Sequence, residues 1–316
     1  MTRYILQRLA ESAVVLLVMS FVIYGLIGLM PGDPIDLMVS ANPDLTPADA
    51  ARLRALYGLD QPLVERYLNW LAAAAQGDFG YSRLHARPVM EILLPRLGNT
   101  VVLMGLAFAL AFALALPAGV WAALKPRTAT DAGINLIAFA GISVPPFWLA
   151  IVLIIVFAVT LGWLPAGGMA PSGAGLGARA EYLILPVATL TLATLGGTLR
   201  FVRAAVMEAL RQDYVRTARA KGLSQFQVVT GHVLRNAMIP VTTILALNFG
   251  ALFSGALITE TMFAYLGMGK TIYDAILGND FNLALVGLLL ATLTTLVANL
   301  AADVCYAWLD PRISYD

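Results

Sequence analysis

Residues 97–124 read LGNTVVLMGLAFALAFALALPAGVWAAL, 28 positions without a charged side chain. As an α-helix this run is about 42 Å long, more than the ~30 Å hydrocarbon core of a bilayer requires. It does not stand alone. Charge-free runs also extend from Ser12 to Met30, Ala132 to Ala178, Tyr182 to Leu199, Asn236 to Thr259 and Phe281 to Ala302. The run from Ala132 is too long for one crossing. Its middle, Ile134–Leu161, is expected as the helix, and the Pro/Gly-rich Gly162–Ala180 as an external loop. One such run can be the core helix of a large soluble protein, but six in 316 residues cannot all be hidden in a water-soluble fold. The expected fold class is an all-α polytopic membrane protein with six transmembrane helices.

Composition agrees. The chain is 59% hydrophobic and 12% charged, against about a quarter charged in soluble domains. A net charge of +1 argues for neither nucleic acid nor an acidic ligand. Cys305 is the only cysteine, which excludes an internal disulfide and a cysteine-rich metal site, and it is read as an inert buried thiol. His85 and His232 are the only imidazoles. No Ser/His/Asp set or carboxylate pair stands out, so neither a catalytic nor a metal site is expected, and no cofactor in this chain.

Arg3 and Arg8 precede the first run as they would in a signal peptide. That run, however, is long and ends at Met30-Pro31-Gly32-Asp33-Pro34, not at a small-x-small cleavage site. It is read as an uncleaved transmembrane helix. With the amino terminus in the cytoplasm, the internal side holds Arg3, Arg8, Lys125, Arg127, Arg200, Arg203, Arg211, Arg216, Arg219, Lys221, Arg235 and Arg312, twelve basic residues against seven acids. The outside then carries eight basic and twelve acidic residues, most of the basic ones in the long first loop, where the positive-inside rule counts least. Both termini inside with six crossings is self-consistent. Pro117, Pro145-Pro146, Pro186 and Pro240 invite kinks within the spans, and Gly196-Gly197 permits close crossings.

The first external segment, Pro31 to about Arg96, is too long for a turn. Thr46-Pro47-Ala48-Asp49 reads as a helix cap, Val64–Ala75 as a short interfacial helix, and Gly77-Asp78-Phe79-Gly80 as its stop. It serves either as a cap on an outer mouth, as a docking surface, or as scaffold.

Between the fourth and fifth runs, Arg203–Arg235 is hydrophilic yet ordered. Ala204–Arg219 contains neither proline nor glycine and is expected as continuous helix. Gly222 interrupts it, and Ser224 caps a second piece, Gln225–Leu234. Val215, Ala218 and Leu223 supply a small apolar face, while Arg216, Arg219 and Lys221 stay reachable from the cytoplasm. A glycine at the corner allows a positive φ. Such an element either docks a partner or anchors to anionic lipid. Gly267-Met268-Gly269-Lys270-Thr271 ends like a phosphate-binding loop but lacks its first glycine and its preceding strand. Glu260 and Asp303 lie nearest membrane depth and are read first as snorkelling or paired acids.

Asp213-Tyr214-Val215-Arg216-Thr217-Ala218-Arg219-Ala220-Lys221-Gly222-Leu223-Ser224, followed by His232-Val233-Leu234-Arg235-Asn236-Ala237-Met238-Ile239-Pro240, resembles the cytoplasmic "EAA" motif of ABC importer permeases. Thr217-Ala218-Arg219 departs from Glu-Ala-Ala but is similar to the form of the dipeptide/oligopeptide/nickel branch. Pro31-Gly32-Asp33-Pro34, Gly58-Leu59-Asp60-Gln61-Pro62, Gly77-Asp78-Phe79-Gly80, Glu260-Thr261-Met262-Phe263, Gly267-Met268-Gly269, Asp274-Ala275 and Leu309-Asp310-Pro311-Arg312 resemble that branch as well. The large first external segment is similar to the B-type permease.

The resemblance implies a type I ABC importer permease fold in a bacterial inner membrane. It divides the chain into an N-terminal segment and first helix (1–30), an external segment (31–96), a core permease domain (97–308) with a coupling loop at 203–235, and a cytoplasmic tail (309–316). It implies four kinds of partner: a second homologous permease, two ATPase subunits that bind ATP and Mg, an external solute-binding protein, and the lipid bilayer. Asp213, Tyr214, Arg216, Thr217, Ala218, Arg219, Ala220, Lys221, Gly222, Leu223 and Ser224 would seat the ATPase, and Asn248, Phe249 and Phe253 are candidates for lining the path. Di- or oligopeptides are the expected cargo. Nickel, opines, glutathione or short oligosaccharides are the alternatives within the class, and a non-transporting membrane scaffold is the alternative outside it.

Overall fold

The computed structural model describes residues 2–29, 46, 48–49, 52 and 61–309. Within the helices it leaves out the side chains at 2–4, 243, 245–255, 302–303 and 305–309. Pro31–Pro34, Gly58–Asp60 and Asp310–Arg312, quoted above, lie outside the described residues. So do the side chains of Asn248, Phe249, Phe253, Asp303 and Cys305.

Most of the described residues are helical. Helix α1 spans Thr2–Gly28, α2 Leu63–Ala75, α3 Val89–Leu124, α4 Ala129–Ser143 and α5 Pro146–Leu153, the last widening into a π-helical stretch, Ile154–Thr160. Then follow α6 (Leu176–Ala209), α7 (Asp213–Ala220), α8 (Gln225–Val228, with π-type turns to Val233), α9 (Leu234–Met262), α10 (Met268–Leu277) and α11 (Phe281–Leu309). Among the described residues, four helices (in α1, α3, α6 and α11) are long and apolar enough to cross a membrane. The α4–α5 pair makes a fifth span if counted as one. Helix α9, with 29 residues, contains the charge-free run from Asn236 and is about 43 Å long.

The surfaces of these helices suit lipid. Leu17, Leu26, Leu110, Leu136, Ile137, Phe139 and Val159 are exposed, a pattern that would be costly against water. Lipid tails are as apolar as leucine, so helices there associate through close packing of small residues. The buried stripe of α3 is accordingly Leu103, Ala107, Ala111, Ala115, Gly119 and Ala122. A Cβ on Gly119 would sit 2.8 Å from Val202 of α6, and one on Gly196 would collide with the Ala138 carbonyl of α4.

The third span departs from the expected single helix Ile134–Leu161. It breaks between Ser143 and Pro146 and turns by 100°. Pro145 and Pro146 lack amide donors, and Val144 and Pro145 adopt extended angles, so the hydrogen-bond ladder cannot continue. The expected external stretch Gly162–Ala180 is non-helical only as far as Gly175, where α6 begins.

At the end of the bundle remote from the basic loop, the short helix expected at Val64–Ala75 is present as α2. Tyr67 exchanges a hydrogen bond with Ser20 of α1 at 2.8 Å and packs edge-on against Phe21 and Tyr24. Gly77 and Gly80 follow with φ of +88° and +78°. In the Thr46 cap, Asp49 accepts from the Thr46 hydroxyl at 2.6 Å and amide at 3.1 Å, which holds its carboxyl below the usual value. A hairpin, Tyr81–Ser82 against Arg87–Pro88, is fastened to the start of α11 by the buried Asp280. Its carboxylate accepts from the Ser82 hydroxyl (2.5 Å) and the Leu84 and Leu283 amides.

Candidate coupling site

Helix α6 does not continue to Arg219 as the absence of proline and glycine predicts. It stops at Ala209, and Leu210–Gln212 form a turn closed by Arg211 N–H to Glu208 O (3.1 Å) and Gln212 N–H to Ala209 O (3.2 Å). The turn folds α7 back so that Val215 and Ala218 are buried against Val202, Val206 and Ala209, with Ala123 of α3, Val228, Val233, and Ala237 and Val241 of α9 in the same core. Tertiary burial of two small side chains outweighs local helix propensity here.

Helix α7 ends in a Schellman arrangement. Leu223 N–H reaches Ala218 O at 3.4 Å and Gly222 N–H reaches Arg219 O at 3.0 Å, with Gly222 at φ +79°. Leu223 packs onto the same core as Ala218. Ser224 then caps α8 reciprocally: its Oγ accepts from Gln227 N–H (3.4 Å) and its own amide donates to Gln227 Oε1 (3.0 Å). Both the glycine corner and the serine cap lie where the sequence puts them. The second piece runs without interruption into α9.

The opposite face is bare. Asp213, Tyr214, Arg216, Thr217, Arg219, Ala220, Lys221, Gly222 and Ser224 are exposed, and no atom lies within 4 Å of where a Gly222 Cβ would point. Partial burial raises the Tyr214 phenol above its ordinary pKa, so it is neutral at physiological pH. Arg216 meets Asp213 at 3.2 Å, both largely exposed, a contact of little energetic weight. One residue that the sequence reading passes over belongs to this face. Phe226, in the first turn of α8, is 77% exposed. Its signal is a lone aromatic between Gln225 and Gln227, directly after a capping serine. The face is therefore basic, with small residues at its corner and one unburied ring.

The remote end removes the nucleotide-site candidate. Gly267–Thr271 is a helix N-terminus, but its anion position is filled from within the chain. Glu260, fully buried at the end of α9, accepts from the Lys270 amide at 3.0 Å and the Thr100 hydroxyl at 2.5 Å. A Cβ on Gly267 would collide with that carboxylate, and one on Gly269 would lie 3.0 Å from it. Glu260 thus neither snorkels nor meets a cation at these contacts. It caps α10 and ties it to α3. Among the described residues there is no cluster of His, Cys, Asp and Glu that fits a metal ion.

Residues 115–315 match the family described as binding-protein-dependent transport system inner membrane component, and residues 1–104 match its N-terminal companion. The chain belongs to this permease family. The permease is 36% identical over 318 residues to the oligopeptide transport system permease protein AppB of Bacillus subtilis, covering all of both chains. It is equally similar over 336 residues to the di/tripeptide permease DppB of Pseudomonas aeruginosa, across 100% of this chain and 99% of that one. Among solved structures, the MetNI methionine ABC transporter in inward-facing form matches with a TM-score of 0.57 at 18% identity, covering 70% of the permease and 97% of that chain. An amino acid ABC transporter matches at 0.50 and 12%, over 76% and 98%. At these identities the structures speak for the fold, which is that of type I ABC importer permeases.

Proposed function

We propose that the permease forms one half of a peptide translocation path in a bacterial inner membrane, with both termini cytoplasmic, and that Asp213–Phe226 seats in a cleft of a cytoplasmic ATPase. The observation that carries this reading is the division of the loop. Val215 and Ala218 are fixed in one core with α3, α6 and α9, while Arg216, Arg219, Lys221 and Phe226 are left open. A loop rooted in three long helices transmits displacement, and a bare basic and aromatic face receives a partner. The placement of basic residues supports the orientation. The names of AppB and DppB support peptide cargo.

In this reading a second, similar permease completes the path, and an external binding protein delivers peptide. Two ATPases hold ATP and Mg. ATP binding closes them, the coupling loops move with them, and the cavity opens outward. Hydrolysis returns it inward. Asn248, Phe249 and Phe253 of α9 remain our proposed lining residues.

The test is reconstitution. The permease is co-purified with its neighbouring-gene ATPases, second permease and binding protein, and uptake of labelled di- and oligopeptides into proteoliposomes is measured beside nickel chelates, glutathione and oligosaccharides. ATP-dependent peptide accumulation is expected. Assembly without any uptake would leave the chain a scaffold, and uptake of another solute alone would overturn the cargo.

A further inference from the structure

The coupling loop shares its apolar core with α3, α6 and α9, but among the described residues α4 contributes none to it. Ala138 and Ile134 of α4 do pack with Ala115 of α3 and Leu199 of α6, and residues 125–128 connect α4 to α3. The charge-assisted tie of α4 to α6 at the loop end is an ion pair. Arg203, six residues before the end of α6, donates from Nε to Asp131 Oδ1 at 2.7 Å and from Nη2 to Oδ2 at 2.8 Å. Asp131 stands in the first turn of α4 with its side chain 7% exposed, and Arg203 is 24% exposed. The same carboxylate accepts from the Arg127 amide (2.9 Å) and Asn135 Nδ2 (2.7 Å). One turn of α6 earlier, the Arg200 guanidinium lies over the Phe139 ring of α4, 4.9 Å from its centroid.

The form of this contact matters. A two-point guanidinium–carboxylate fork fixes rotation as well as distance, which an apolar contact or a lysine does not. Farther along, α4 and α6 cross closely: a Cβ on Gly196 would collide with the Ala138 carbonyl, one on Gly141 would lie 3.1 Å from the Leu192 carbonyl, and Ala138 packs with Leu199. Such crossings resist separation but carry no charge-assisted bond. From Asp131, α4 runs on toward the 100° break before Pro146, the whole helix of 15 residues measuring about 22 Å. The far arm, α5, is anchored separately, with Ala150 in a core with Leu103, Leu185 and Leu190. The bent span is thus held by α6 and its neighbours on both sides of an unladdered corner.

We propose that Arg203 and Asp131 are positioning residues that pass movement of the coupling loop to α4 and hence to the bend at Val144–Pro145. Without the fork, the loop still docks and the ATPase still turns over, but the bent span no longer follows. This inference rests on the reading of Asp213–Phe226 as the ATPase seat.

The test uses the full reconstituted complex carrying D131N, R203M or R203K. The carboxamide that D131N introduces keeps an oxygen to accept the Arg127 amide, so this variant preserves the α3–α4 turn while weakening the fork. For each variant three quantities are read: ATPase subunits retained on purification, ATP hydrolysed, and peptide transported per ATP. The expected result is wild-type retention and hydrolysis in D131N and R203M, with peptide per ATP reduced at least about fivefold and R203K between them and wild type. An unchanged ratio overturns the proposal. Loss of the ATPases from both variants also overturns it, because the pair would then serve assembly alone. Should both fail to reach the membrane, R203K decides, and a wild-type ratio there overturns it. If the wild-type permease itself retains no ATPase, the seating of the loop is what fails, and the positioning role of Arg203 and Asp131 falls with it.

Discussion

Glu260 Oε1 accepts the Thr100 hydroxyl at 2.5 Å across 160 positions of sequence, while Oε2 accepts the Lys270 amide at 3.0 Å. One buried carboxylate thereby joins α3, α9 and α10. Replacing it by alanine leaves the Thr100 hydroxyl proton and the Lys270 amide without an acceptor, although the Thr100 oxygen still accepts the Met268 amide. Each unsatisfied donor costs roughly 1–3 kcal/mol. Glu260→Ala is expected to lower the unfolding temperature in detergent by several degrees. Glu260→Gln should fall between, since its amide nitrogen faces donors. Equal unfolding temperatures for the three proteins would refute the cap.

Gly222 sits at φ +79° with open space around it. Gly222→Ala should cost about 1 kcal/mol for the left-handed backbone and leave docking largely intact. Gly222→Trp should place an indole in the partner's path, abolishing transport while the protein still folds. Comparable ATPase coupling in a purified Gly222→Trp complex would count against the docking geometry.

Phe226 and the basic residues of α7 should respond differently to salt. Phe226→Ala removes a ring available for burial and is expected to weaken ATPase binding by about 2 kcal/mol, near 30-fold, at any ionic strength. Arg216→Ala, Arg219→Ala and Lys221→Ala should each cost less, with losses that shrink as salt rises. Affinity measured from about 50 to about 500 mM salt separates the two classes.

Val215 is fully buried beneath the proposed docking face. Val215→Ala removes two methyl-sized groups, worth roughly 2 kcal/mol of loop packing. Proteolysis within 210–224 should accelerate, and ATPase binding should weaken although no surface residue has changed. A wild-type cleavage rate would show that the loop does not depend on this core.

The apolar runs, the basic loop, the Gly222 corner and the Ser224 cap were legible because each has a local cause: length against bilayer thickness, a positive φ, a side chain within three positions of its amide. The break at Leu210–Gln212 was not, because Val215 finds Val202 only in three dimensions. Asp131 and Arg203 could both be assigned to the basic end, yet nothing in a list of charges pairs residues 72 positions apart. Glu260 looked like a boundary acid for the same reason: Thr100 and the Lys270 amide converge on it through folding. Pro145-Pro146 announced a kink, but 100° depends on what the two arms pack against.

Val215, Ala218, Val228 and Val233 share their core with Ala123, Val202, Val206, Ala237 and Val241. The proposed docking face is therefore not a detachable plug. Grafting residues 213–224 from another transporter would import a foreign contact surface on a mismatched underside. On the proposed seating, a hybrid meant to accept a different ATPase must exchange the ends of α3 and α6 and the start of α9 along with the loop. Choice of motor would then reside in a block of four chain segments, because their side chains pack into one core.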